Sequence, residues 1–129
     1  MTNNKPLSIA ICILIKYYIF FVFIAICNRY KTMVIANSNG LASLMGNTGW
    51  YVLYISFGAF LLSIIFFFPI LITLRIKNRR YILLAFAFLL PIEYYTYTKL
   101  FSQIDPINGI YNTIVSVAFI FIYMMRRLN

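Results

Sequence analysis

The chain contains no histidine and only two acidic residues, Glu93 and Asp105, among its 129 residues. Without histidine it offers no imidazole ligand for haem or zinc and no Ser-His catalytic triad. One acid lies inside an apolar run and the other between two runs, so a pair of catalytic carboxylates is not expected. A glycine-rich phosphate loop and a GxSxG nucleophile motif are also missing. We therefore expect no enzyme activity, no cofactor and no metal site.

The sequence has only two cysteines, Cys12 and Cys27, which are fifteen residues apart in one apolar run. On a single helix that spacing separates them by roughly 22 Å, which is beyond the reach of a disulfide bond. We interpret both as small apolar side chains.

Apolar residues make up 64% of the chain, and its mean hydropathy is +0.90, whereas soluble domains contain roughly 45–50%. A soluble protein of this size has too little interior to hide so much apolar surface, so lipid must cover it. Four apolar runs predict one all-α domain over residues 1–129, a bundle of four transmembrane helices. The predicted spans are about 7–27, 50–74, 81–101 and 106–125, each long enough to cross about 30 Å of hydrocarbon.

Residues 28–49 form the one long segment between predicted spans. They include Asn37, Asn39, Gly40, Asn47 and Gly49, and residues of these two types favour turns. We therefore predict an outer loop here. At the last turn, Asp105 followed by proline predicts the N-terminal cap of the fourth helix.

The net charge of +9 comes from single basic residues scattered between apolar runs, a pattern that argues against binding to nucleic acid. Four spans put both termini on one side of the membrane. That side holds Lys5, Arg75, Lys77, Arg79, Arg80, Arg126 and Arg127, against Arg29, Lys31 and Lys99 on the other side. The positive-inside rule therefore predicts that both termini and the basic turn are cytoplasmic, with these residues as topology anchors.

Lys16 and Glu93 each lie near the middle of a predicted span, where a charge costs roughly 2.5–3.5 kcal/mol on insertion scales. The first and third spans run in the same direction, and the two positions differ in depth by roughly one turn, about 5 Å. A lysine side chain can bridge that difference. We predict that the two residues face each other as an intramembrane ion pair, or as a hydrogen-bonded pair with a protonated glutamate.

This pair has two interpretations: a proton- or ion-coupling site, or polar contacts that fix helix pairing and register, which we favour. Tyr17, Tyr94 and Tyr97 are near enough in sequence to hydrogen-bond it, although packing is the simpler role for them. Asn112 and Ser116 belong to a polar stripe on the fourth span, which is expected to bond other helices or to contact a partner.

The layout resembles that of immunity proteins against pore-forming colicins of the A and N type, which are small, basic inner-membrane proteins with cytoplasmic termini. The similar features are the longer outer loop after the first span, the basic inner turn Arg75 to Arg80, and the Leu-Leu-Pro segment from Leu89 to Pro91. The resemblance covers the whole chain at the level of topology and includes no specific motif.

This resemblance implies a multi-pass protein of the bacterial inner membrane whose helices pack against the channel-forming domain of a bacteriocin and stop the pore from opening. The candidates for recognition are the second to fourth helices, especially Tyr94, Tyr97, Asn112 and Ser116, with the loop from Asn37 to Asn47; polarity and depth select these positions. No pattern fixes an oligomeric state.

Three other functions fit the same composition. One is an exclusion protein that stops a second plasmid or phage from entering the cell, and another is a holin. The third is a small transporter that uses Lys16 and Glu93; small multidrug transporters, however, carry their essential acid in the first span, where this chain has Lys16.

Overall fold

The computed structural model of the protein describes residues 6–102 and 105–128, and within them it is all-helical, without a β-strand. The helices are α1 (Pro6–Ile24), α2 (Tyr30–Met33), α3 (Leu41–Arg75), α4 (Arg79–Phe101) and α5 (Ile107–Leu128). A π-helical segment, Ala25–Arg29, joins α1 to α2, and a 3-10 turn, Ile35–Asn37, follows α2.

Three segments are long and apolar enough to cross a membrane: Pro6–Cys27, Leu41–Arg75 and Arg79–Phe101. The fourth long helix, α5, has 22 residues, of which Ile107–Tyr123 form a shorter apolar stretch. The prediction of an all-α protein with helices able to span a membrane is confirmed.

The polarity of α5 is the reverse of that in a soluble bundle. Its buried face carries Asn108, Asn112 and Ser116 together with Ile120, whereas most of its large apolar residues are exposed. Those exposed residues are Ile107, Ile110, Ile114, Val117, Phe121 and Ile122. In water this helix would turn its apolar stripe inward, so the arrangement fits a surrounding solvent of lipid.

The predicted outer loop at 28–49 needs correction, because most of this segment is helical. α3 begins at Leu41 rather than at residue 50, and it runs without a break through Gly46 and Gly49. The turn-forming residues suggested a loop, but extending an existing helix costs far less than nucleating a new one. Tertiary contacts override weak propensities of this kind.

Side-chain hydrogen bonds hold the segment before α3 against the first turns of that helix. The hydroxyls of Tyr30 and Thr48 lie 2.9 Å apart, and Asn47 donates through Nδ2 to Ser38 Oγ at 3.0 Å. Gly40 has a φ of 138°, which side-chain-bearing residues rarely adopt, and it lets the chain reverse into α3. The segment is therefore a packed helical cap rather than an open loop.

The two tight turns are close to their predicted positions. α3 and α4 are separated only by residues 76–78, and Asn78 Oδ1 accepts a hydrogen bond from the backbone N–H of Arg80 at 3.1 Å. Asp105 Oδ1 accepts from the N–H of Ile107 at 3.2 Å, which is the predicted cap of the last helix. Such short connections make successive helices antiparallel, so that α3 and α5 run in the same direction.

α1 approaches α3 closely at Gly58, where the Phe21 ring lies against the α3 backbone. Phe21 is itself fixed by Phe20, Tyr97 and Phe101, whose ring centroids lie 5.3, 6.1 and 5.6 Å from its own. This aromatic cluster joins α1, α3 and α4.

We expect Gly58→Ala to destabilise the protein by about 1–2 kcal/mol through overpacking. The new Cβ would lie 2.9 Å from Phe21 Cζ and 3.2 Å from Phe101 Cε1, and neither ring is free to move. Gly49→Ala is the control, because its Cβ would meet nothing within 4 Å and alanine favours a helix by about 0.5–1 kcal/mol. Unfolding by SDS in mixed micelles measures both; equal stability of the two variants would contradict this packing.

Candidate functional site

The structure brings Lys16 of α1 and Glu93 of α4 into direct contact. Lys16 Nζ donates a hydrogen bond to Glu93 Oε1, and the two groups form a salt bridge. Both are enclosed by the bundle, with 4% of Lys16 and 2% of Glu93 exposed. Lys16 and Glu93 are thus the partners predicted from their similar depths in the membrane.

Glu93 is the centre of a larger arrangement, because four side chains donate hydrogen bonds to its carboxylate. Besides Lys16, Tyr17 donates to Oε1 at 2.8 Å, Asn112 donates to Oε1 through Nδ2 at 3.3 Å, and Ser116 donates to Oε2 at 2.9 Å. We call these five residues the Glu93 network. It joins α1, α4 and α5 at one buried point.

Helical spacing explains why the donors converge. Asn112 and Ser116 are four residues apart on α5 and therefore share one face, while Lys16 and Tyr17 are consecutive on α1 and approach the carboxylate side by side. Lys16 Nζ also lies 4.3 Å from the centroid of the Tyr17 ring, within the range of a cation–π contact. Each donor is thus supplied by a regular helix, which makes the geometry rigid.

The two side chains that α5 contributes to the network, Ser116 and Asn112, are incompletely hydrogen-bonded. Ser116 Oγ lies 2.9 Å from Glu93 Oε2 and 3.0 Å from the carbonyl oxygen of Asn112, so its single proton serves one acceptor at a time. Asn112 Oδ1 is buried without a hydrogen-bond partner in the described part of the chain. Because an unpaired buried acceptor costs about 1–3 kcal/mol, α5 is attached to Glu93 less securely than α1 is.

The three tyrosines named from the sequence have different roles. Only Tyr17 hydrogen-bonds Glu93 among the contacts of the described residues. Tyr97 is buried, but its ring packs edge-on against Phe20, with centroids 4.9 Å apart. Tyr94 is half-buried, and its ring lies where a Cβ on Gly109 of α5 would be. These last two are therefore packing residues that seal α4 against its neighbours.

A second polar cluster, which the sequence did not reveal, lies at the end of the bundle where α4 terminates. Arg29 of the π-helical segment donates to the Phe101 carbonyl at 3.5 Å and to Ser102 Oγ at 3.3 Å. Asn108 of α5 donates through Nδ2 to the same Ser102 Oγ at 3.2 Å. Asn108, Asn112 and Ser116 follow one another at four-residue spacing, and this repeat was the signal available in the sequence.

The remaining predicted residues lie apart from this site. Arg75, Lys77, Arg79 and Arg80 are exposed at the turn between α3 and α4. Arg126 and Arg127 belong to the last turn of α5, and their side chains are outside the described part of the structure. Within the residues described, no group of three or more His, Cys, Asp or Glu side chains is placed to hold a metal ion.

Chemically, the Glu93 network is a closed and almost fully paired charge site. Each of its charged groups would be costly alone in a membrane, and each meets its partner inside the bundle. Donors and acceptors that are hydrogen-bonded to one another in this way hold helices in register. This fits the favoured interpretation of Lys16 and Glu93, as polar contacts that fix helix pairing.

We expect Tyr17→Phe to lower the free energy of unfolding by about 1–2 kcal/mol, since it removes a hydrogen bond to a charged group. Tyr18→Phe is the matched control, because Tyr18 is half-buried on the next position of α1 and donates no hydrogen bond among the described contacts. SDS titration followed by circular dichroism gives both values. An equal and small effect of the two substitutions would remove Tyr17 from the network.

No protein-family model matches the chain, and neither a curated protein nor a solved structure matches it.

Proposed function

We propose that this chain is a multi-pass protein of the bacterial inner membrane that acts by lateral contact with another membrane-inserted protein, as an immunity protein against a pore-forming bacteriocin. The observation that carries this proposal is the division of the molecule into a closed polar interior and an apolar exterior. Lys16 and Glu93 pair with each other inside the bundle, so the surface that the spanning helices leave for a partner is one of shape and aromatic contact.

Four crossings are the topology that best fits the helices. α5 has 22 residues and would be roughly 33 Å long, which is sufficient to cross the hydrocarbon. Asn108, Asn112 and Ser116 face the bundle, and most of its large apolar residues face outward. With four crossings both termini and the basic turn lie on one side, and the excess of basic residues there assigns that side to the cytoplasm.

The burial of Glu93 inside the bundle favours a binding role for the protein over a role in transport. A coupling site must exchange protons or ions with water, whereas the Glu93 carboxylate is enclosed and accepts hydrogen bonds from four side chains. The proposed role of the network is to keep α1, α4 and α5 in a fixed arrangement. Such rigidity reduces the ordering cost of binding a partner.

The recognition surface needs to be revised from the sequence-based candidates. Tyr97, Asn112 and Ser116 are buried, and Tyr94 is half-buried, so they support the surface rather than form it. α3 carries an outward stripe of large apolar residues: Trp50, Leu53, Phe57, Phe60, Ile64 and Phe68. Between helices in lipid, van der Waals packing replaces the hydrophobic effect as the source of affinity. The side chains of this stripe provide that packing.

The helical cap adds a polar surface next to this stripe. A shallow depression there is lined by Met33, Val34, Asn37, Asn47, Trp50 and Tyr51. Trp50 joins it to the α3 stripe, so a partner lying along α3 would also contact the two asparagine amides. The candidate loop residues from Asn37 to Asn47 thus keep a place in recognition, on a packed helical surface.

The direct test is the survival of a sensitive bacterium that expresses this chain when it is challenged with a panel of pore-forming bacteriocins. We expect protection against one toxin and not against its relatives. Phe57→Ala combined with Phe60→Ala should reduce the protective titre at least about tenfold, corresponding to 1.4 kcal/mol or more of lost contact, at an unchanged protein level.

Ile19→Ala is the control for that experiment, because Ile19 is an exposed apolar residue on α1. Equal killing of expressing and non-expressing cells by every toxin would reject immunity for that panel. Equal loss of protection in the α3 and α1 variants would reject α3 as the recognition surface.

A further inference from the structure

The turn between α3 and α4 carries four cations within six residues: Arg75, Lys77, Arg79 and Arg80. We call this group the basic turn. All four are exposed, and their side chains form no hydrogen bond or ion pair among the described contacts. Arg29 provides the contrast at the other end of the bundle, where its guanidinium donates to Phe101 and Ser102.

Neither acidic side chain of the sequence lies near the basic turn. These two acids are Glu93, which is buried against Lys16, and Asp105. Asp105 follows the far end of α4, a helix of 23 residues and thus about 35 Å long. Several Debye lengths of about 8 Å separate it from the basic turn.

Apolar side chains flank the cations on both helices. Ile72 precedes the basic turn on α3, and Tyr81, Leu83 and Leu84 follow it on α4, all of them exposed. A ligand that suits this surface carries a negative charge at one end and an apolar chain beside it. Free phosphate and nucleic acid satisfy only the first condition.

We propose that the basic turn binds the headgroups of anionic phospholipids, whose acyl chains lie along the adjoining turns of α3 and α4. The basic residues contact the phosphates, and Tyr81 lies at the level of the headgroups. This inference depends on membrane insertion and is independent of the immunity proposal.

Native mass spectrometry of the full chain tests this binding directly, in a non-ionic detergent with equal amounts of phosphatidylglycerol and phosphatidylcholine. We expect a preference for phosphatidylglycerol. Lys77→Gln combined with Arg80→Gln should reduce that preference about fivefold to 25-fold, since each cation near an anionic surface contributes about a factor of five.

Lys31→Gln combined with Lys99→Gln is the matched control, because it removes the same charge from the opposite end and should leave the preference unchanged. Equal retention of the two lipids by the unaltered chain, or an equal loss in both double variants, would overturn the proposal. So would displacement of phosphatidylglycerol by an equal concentration of glycerol phosphate, which would mean a phosphate site without a lipid requirement.

If the Lys77/Arg80 variant fails to fold, the unaltered chain still decides the question. Its preference for phosphatidylglycerol should fall with added sodium chloride, as expected for exposed charges. A preference that does not change with salt would contradict binding through the basic turn.

Discussion

The arrangement of three helices depends on one carboxylate. Glu93 of α4 receives Lys16 and Tyr17 from α1 and Asn112 and Ser116 from α5. In lipid the outer surfaces of helices have little preference for one another, because acyl chains are as apolar as the side chains they meet. A buried carboxylate with a fixed set of donors does discriminate between helix arrangements, since any other register leaves the charge unpaired.

This constraint also explains the reversed polarity of the molecule. Asn108, Asn112 and Ser116 face inward because their acceptors, Ser102 and Glu93, are inside, and four of the five isoleucines of α5 then face outward. A molecule built in this way presents lipid and partners with an apolar surface whose shape is fixed from within. Immunity by lateral packing, as proposed, uses such a surface, and the exposed cations of the basic turn are left for the membrane itself.

The sequence was sufficient for the helices, the Asp105 cap and the partners of the central ion pair. Composition and run length identified the helices, and depths that differ by only about one turn in predicted parallel spans paired Lys16 with Glu93. It was not sufficient for residues 28–49. Glycine and asparagine weaken a helix, but they do not prevent α3 from extending back to Leu41. The sequence left Asn112 and Ser116 with two roles, bonding to other helices or recognition of a partner, because a polar stripe does not reveal which neighbouring helix holds its acceptor. Arg29 was counted as a surface charge because Ser102, which it contacts, is distant in sequence.

A thermodynamic cycle on Lys16 and Glu93 tests the central claim most directly, with unfolding in mixed micelles measured for Lys16→Met, Glu93→Gln and the double variant. Glu93→Gln should cost about 3–5 kcal/mol, because it leaves the ammonium of Lys16 buried without a counter-charge. The double variant should recover most of that loss, with a coupling of at least about 1 kcal/mol between the two positions. Strictly additive effects would mean that the two charges do not hold the helices together, and would contradict this account of the fold.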